Sequence, residues 1–416
     1  HQYPFICSTS ESGLGQPLVD NNEGIGNAVF AVEGDNTSEI LGYSADCSIQ
    51  TRVDYFYLAT DGRFYPYDSS NPPADIYQLL IGGQVIDFIV RVEAGTLNRF
   101  LYAIAMLAPF PEELDDPDDL NNAAWNGDLV YYFRGGTGLG HLQGTDGWHS
   151  GVASGERAIF PHVLANGYAI AMSSANQSGI QYNVNLAEET AYMVKQHFSE
   201  VYGSPQHTIG IGGSGGAVQI YALAQNHPGL LDAGIPLFSY PDMITQTIHV
   251  SDCNLLEQYF LEDVLLYGAA SKWATWSNRQ WIEGLNASDT VTNSLTGTPG
   301  SSECIEGWHL AAPTVINPYF TAPELLQALE FYLYPQEVID DIRWTHWNDL
   351  ENIYGTDDDG FAPIPMDNVG VQYGLQALVE GNISANEFLE INSCVGSWTE
   401  QANFVPFIPS ASNLFD

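Results

Sequence analysis

The run Gly212-Gly213-Ser214-Gly215-Gly216 carries the strongest chemical signal in the sequence. A serine hydroxyl is a weak nucleophile and needs a fixed, accessible position and an adjacent base. A G-x-S-x-G pattern meets the first need when it joins a strand to a helix, because small neighbours let the chain turn sharply around a strained serine. Residues 208–211 read as that strand and 217–226 as that helix, stopped by His227-Pro228-Gly229. The chemistry would be acyl transfer: Ser214 attacks an ester carbonyl, and the Gly215 N–H faces the oxygen on which charge develops.

A second glycine run supports this reading. Residues 129–133 read as a buried strand that ends at Arg134-Gly135-Gly136-Thr137-Gly138. A backbone N–H of Gly136 or Thr137 would supply the other oxyanion donor. Phosphate binding fits poorly, since no lysine follows at Walker spacing. In this type of fold the acid and then the base follow the nucleophile in the chain. His227 reads as a helix cap, while His309 and His346 adjoin tryptophans and read as structural. His249 is the candidate base and Asp242 the candidate acid, with an N-cap as the other reading of Asp242. No strand pair that would bear an acid and a histidine is recognisable before Asp416.

The elements around these residues define the expected fold. Residues 52–58, 85–92 and 99–107 are β-branched or aromatic runs and suggest an antiparallel start. From 128 onward strands alternate with helices (129–133, 168–172, 184–202, 208–211, 217–226, 234–239), which favours a parallel sheet. The fold class is therefore α/β: an α/β-hydrolase-like, mostly parallel sheet with antiparallel N-terminal strands and an inserted helical cap. The expected organisation is a core over 1–240, a tryptophan-rich cap over 241–400 and a tail over 401–416, with the C-terminal end of the core missing. Helices are expected at 323–334, 337–343, 368–380 and 385–392. Trp273, Trp276, Trp281, Trp308, Trp344 and Trp347 of the cap read as packing, or as an aromatic wall for a bulky substrate.

The charge balance excludes some partners. Ten Lys and Arg stand against 51 Asp and Glu, a formal net charge of −41, so nucleic acid and anionic membranes are repelled. Self-repulsion at this level is relieved by salt, which suggests a halophilic protein. No apolar stretch has the roughly 18 residues of a membrane helix. The chain begins at His1 rather than Met, as expected of a secreted product whose signal peptide has been removed. Five cysteines lack zinc or redox spacing; by neighbourhood Cys7 pairs with Cys47 and Cys253 with Cys304, leaving Cys394. No cofactor is required. Asp357 and Asp359, in an Asp-rich turn, are a candidate calcium site, and Asp115, Asp116, Asp118 and Asp119 form a second acidic loop, though ordinary loops are the more economical reading of both. Asn36, Asn176, Asn286 and Asn382 stand in N-x-Ser sequons.

The sequence also resembles a group of secreted bacterial proteins known as a domain of unknown function, related in outline to tannase-like and polyhydroxybutyrate-depolymerase-like α/β hydrolases. The resemblance is carried by Pro4-Phe5-Ile6-Cys7, by Gly13 to Leu18, by Asp46-Cys47-Ser48, by Ser214-Gly215-Gly216, by Gln225 to Asp232 and by Asp367 to Leu375. It implies a hydrolase ancestry, export and the role of Ser214. It also implies an acid and a histidine from a C-terminal segment, here expected on an associated fragment. Two functions are open: a secreted serine esterase acting on an ester substrate, aromatic or polymeric, or a non-catalytic hydrolase fold used as a structural or assembly protein.

Overall fold

The computed structural model describes residues 5–31, 39–81, 83–108, 124–136, 138, 140–154, 160–294, 296–307, 315–319 and 345–405, without the side chains of 152–154, 243 and 249. The chain forms two compact units, His1–Tyr240 and Pro241–Asp416. The first begins with a hairpin of β1 (Asn27–Phe30) and β2 (Ile40–Ser44), tied down by the Cys7–Cys47 disulfide. Then follow β3 (Arg52–Leu58), β4 (Phe64–Pro66), a small hairpin of β5 (Gln78–Ile81) and β6 (Gln84–Asp87), β7 (Ile89–Leu97) and β8 (Phe100–Leu107). The alternating part comprises β9 (Asp128–Arg134), α1 (His149–Ser154), α2 (Pro161–Ala165), β10 (Ala169–Gln177), α3 (Val184–Tyr202), β11 (His207–Gly213), α4 (Gly215–Asn226) and β12 (Ala233–Leu237).

These strands make one eight-stranded sheet of order β12-β11-β9-β10-β8-β7-β3-β4. β9 to β12 pair in parallel, and β8, β7, β3 and β4 extend the sheet antiparallel from β10. This is the mixed α/β-hydrolase-type fold expected. The expected strand over 85–92 is broken at Phe88, which is buried between β6 and β7. The β10 strand runs five residues beyond 172, and all nine of its residues are buried.

Side-chain alternation builds a core on each face. Leu129, Tyr131 and Phe133 of β9 join Val194, Phe198 and Tyr202 of α3 and Ile220 and Leu223 of α4 on one side. Val130, Ile170, Met172, Val92 and Trp148 fill the other. The buried face of α3 recurs at Ala187, Ala191, Val194, Phe198 and Tyr202, a helical period, and Asn183 caps its start through the Leu186 N–H. Each fully buried Phe or Leu removes enough apolar surface to contribute about 1.5–3 kcal/mol.

Two buried ionic clusters tie helices and loops to this sheet. Glu93 on β7 accepts from Tyr102 (2.9 Å), Tyr202 (2.5 Å) and the His197 ring (2.6 Å). Burial alone would raise its pKa, but these donors hold it below the usual value. His149 contacts Asp146 through Nδ1 (2.6 Å) and Asp54 of β3 through Nε2 (2.9 Å). Burial opposes its protonation, yet the two carboxylates win and lift its pKa to about 9.

The second unit opens with α5 (Met243–Tyr267), then α6 (Gln280–Glu283), the β13 (Ala287–Thr292) and β14 (Pro299–Ser302) hairpin, and α7 (Glu303–Glu306). It continues with α8 (His346–Tyr354), α9 (Leu375–Glu380) and α10 (Ala385–Cys394). Cys253 and Cys304 form the second disulfide, and Cys394 is free and exposed. Phe260, Trp273, Ile282, Tyr373 and Ile391 form the unit's core, and Arg279 lies 3.6 Å above the Trp276 ring while pairing with buried Glu257. Trp273 and Trp276 therefore pack within the unit; Trp308 and Trp344 lie outside the described residues, as do the helices expected at 323–334 and 337–343. The helix expected over 368–380 forms only from Leu375, because Gly370 and Gly374 adopt left-handed backbone (φ 83° and 77°). The α5 helix was not among the expected helices; its Ile, Thr and Val-rich start has low intrinsic helix propensity, and burial of Ile244, Val250, Leu256 and Phe260 overrides it.

Candidate active site

Strand order sets where a site belongs. The chain passes from β9 to β10 on one side, then crosses back so that β11 and β12 lie on the other. The carboxyl ends of β9, β10 and β11 thus surround a point where winding reverses, the place where open α/β sheets form their ligand crevice. Ser214 stands there, between β11 and α4.

Ser214 has φ 56° and ψ −125°, a conformation that an L-residue adopts only under constraint. The constraint is visible on both sides. Its N–H donates to Leu237 O of β12 (2.9 Å), and its carbonyl accepts from Ala217 of α4 (2.8 Å). The strand, strained serine and helix of a nucleophile elbow are all present.

The loop after β9 lies against this elbow. Gly179 N–H donates to Gly135 O (3.1 Å), Ser178 N–H to Arg134 O (2.9 Å) and Gly138 N–H to Ser178 O (2.6 Å), so the loops after β9 and β10 are joined backbone to backbone. Side chains have no room in this arrangement. A Cβ on Gly136, already at φ 114°, would fall 2.4 Å from the Gly179 Cα. One on Gly215 would fall 2.6 Å from Gly136 O and 2.1 Å from Ser178 Oγ. Among the described residues neither the Gly136 nor the Gly215 N–H has an acceptor. Two unengaged donors therefore border the strained serine. Thr137, the other expected donor, lies outside the described residues.

One neighbour of Ser214 was not foreseen. Burial raises the Tyr240 pKa, and the Ser214 side chain offsets part of that rise. No sequence motif announces this neighbour, because it depends on how the chain turns after β12.

The remaining expected residues have other surroundings. Asp242 is the N-cap of α5: Oδ1 accepts the Thr245 N–H (2.6 Å) and Oδ2 the Thr245 hydroxyl (2.7 Å). His249 is within α5, but its side chain lies outside the described residues, as does all of His309. His227 ends α4 and contacts Glu188 (3.0 Å), and His346 is buried in the first turn of α8. Among the described residues no histidine ring is hydrogen-bonded to Ser214. Asp357 Oδ1 accepts the N–H groups of Asp359 (3.0 Å) and Phe361 (2.9 Å), closing a turn. No group of three or more potential metal ligands occurs among the described residues; the 115–119 acidic loop lies outside them. Of the sequons, Asn176 is buried and bonded to Tyr131 and Gln219. No helix of the described residues is long and apolar enough to cross a membrane.

Residues 1–408 match the family model described as a tannase-like family of unknown function (DUF6351). No curated protein matches the chain. Among solved structures, it is similar to a tannin acyl hydrolase from Aspergillus niger (13% identity, 75% of this chain and 55% of that one, TM-score 0.29). It is also similar to an esterase from Aspergillus oryzae (14%, 65% and 53%, TM-score 0.25) and to oligopeptidase B from Trypanosoma brucei (10%, 50% and 23%, TM-score 0.23). The chain thus spans between about a quarter and about half of the length of these proteins. At these scores the likenesses add no weight to the strand order described above.

Proposed function

Since this chain belongs to the tannase-like family, which spans residues 1–408, we propose that it is a secreted serine hydrolase of carboxylic esters. Ser214 attacks the ester carbonyl and forms an acyl-enzyme, while the N–H groups of Gly215 and Gly136 hold the oxyanion. The observation that carries this reading is the strained Ser214 backbone beside two glycine N–H groups that have no acceptor among the described residues. Strain maintained at a position with no evident packing benefit is characteristic of a functional site, and each oxyanion donor contributes about 3–4 kcal/mol where measured. The family's tannase-like character favours esters of phenolic acids. Two disulfides are consistent with an exported protein.

The test is covalent. A fluorophosphonate probe followed by peptide mapping should label Ser214, and Ser214→Ala should abolish both the label and turnover of p-nitrophenyl acetate and a phenolic methyl ester. The rival reading, a non-catalytic structural or assembly protein, is favoured by one observation: no described histidine meets Ser214. Inertness of folded native protein toward the probe would decide for it.

A further inference from the structure

In a chain with only ten Lys and Arg, the place of each cation is informative. Among the described residues nearly all are engaged. Arg52, Arg91, Arg99, Arg279 and Lys272 are ion-paired with carboxylates. Lys195 donates to the carbonyls of Gly229 and Leu230, and Arg63 helps to hold Asp61 ionised. Arg134 is the exception: it is exposed, and its guanidinium has no hydrogen-bond or ion-pair partner among the described residues. It stands at the carboxyl end of β9, directly before the glycines of the oxyanion loop. A Cβ on Gly135 would fall 2.9 Å from the Ser214 Cβ and 2.7 Å from Gly213 O, so the Gly135 backbone lies against the nucleophile. The Arg134 Cα is one residue away, about 3.8 Å, and its carbonyl is fixed by the Ser178 N–H (2.9 Å). No other Lys or Arg occurs in 135–148, 178–183 or 214–226, the loops after β9 and β10 and the elbow with its helix.

We propose that Arg134 is a specificity-determining residue that pairs with a carboxylate carried by the ester substrate; this rests on Ser214 being the nucleophile. The preferred substrates are then esters that bear a free acid group, not neutral esters. A guanidinium presents parallel N–H groups that a planar carboxylate accepts two at a time. A single fork, with no second Lys or Arg in the surrounding loops, matches the one charge of a carboxylate better than the two of a phosphate. The rest of the molecule gives the physical reason for a cation here. A net charge of −41 repels an anionic substrate, and an uncompensated guanidinium at the site offsets that repulsion where the ester must bind. An arginine already paired with a neighbouring carboxylate would have its N–H groups engaged. Arg134 keeps its proton throughout and touches neither the nucleophile nor the scissile bond, so its effect is on which ester is held, not on the bonds that form and break.

The experiment compares kcat/KM of the full chain for esters that differ by one carboxylate. The pairs are 4-acetoxybenzoate against 4-acetoxybenzamide, with the charge on the alcohol part, and monomethyl against dimethyl adipate, with the charge on the acyl part. Wild type should favour the carboxylate-bearing member of at least one pair by about 10-fold, chiefly through a lower KM. Arg134→Gln should bring that ratio to about one or below by raising KM for the charged ester. Arg134→Lys, which keeps the charge without the fork, should retain only part of the preference. A wild-type ratio of one or less for both pairs overturns the proposal. So does a ratio that Arg134→Gln leaves unchanged, or an equal loss on both members of a pair, which would make Arg134 a support of the loop alone. Should Arg134→Gln fail to fold, Arg134→Lys decides, and an undiminished ratio overturns the proposal. Wild type that turns over none of these esters and forms no fluorophosphonate adduct refutes the nucleophile itself, whereas an adduct without a carboxylate preference refutes only the role of Arg134.

Discussion

At the scale of single residues, the site depends on atoms that are absent as much as on those present. Gly136 faces the Gly179 backbone at a distance that excludes a Cβ. Gly136→Ala should therefore displace the loop and lower acylation at least about 100-fold, the loss expected of one oxyanion donor. Probe labelling rates with a thermal melt check this; wild-type labelling would remove Gly136 from the site. His149 gives a prediction in pH. Its folded pKa, about 9, exceeds the roughly 6.5 of an unfolded histidine. A raised folded pKa stabilises fully below the unfolded value and loses that contribution as pH rises through the folded one. The unfolding free energy from urea titrations should fall between about pH 6.5 and 9, by up to about 3 kcal/mol. His149→Gln should be less stable at neutral pH and show a flatter profile; parallel profiles would refute the assignment.

Secondary elements show why some of this was legible in the sequence. The elbow and the β9 loop are local patterns, and residues 129–138 and 208–226 reveal them through glycine spacing and strand periodicity. Gly179 meets the β9 loop at Gly135 and Gly136 only because β10 lies beside β9 in the sheet, which no local pattern encodes. The α5 helix was missed for a related reason, since packing outweighs its β-branched start. Asp242 illustrates a residue type with two meanings, a relay acid or a helix cap. With both its oxygens on Thr245, the cap predicts that Asp242→Ala costs about 1 kcal/mol of stability. Asp242→Asn should recover most of that and leave ester turnover unchanged. A folded Asp242→Asn protein without turnover would restore the acid reading.

On the scale of the whole molecule, charge dominates. With 51 acidic side chains against ten basic ones, few carboxylates can have a cationic partner. Both lysines are engaged: Lys195 donates to Gly229 O and Leu230 O, and Lys272 to Asn382 O while pairing with Glu387. Repulsion among the rest is screened over about 10 Å at 0.1 M salt and about 3 Å at 1 M. The melting temperature should therefore rise steadily over that range of sodium chloride. A flat response would show that the acidity is not an adaptation to salt.

The backbone contacts at Gly136, Gly179 and Gly215 also have a bearing on substitution. At Gly136 backbone meets backbone, so no change of a neighbouring side chain makes room there, whereas at Gly215 the Ser178 side chain as well as the Gly136 carbonyl stands in the way. Gly136 therefore makes the join between the two loops intolerant of even one added methyl group.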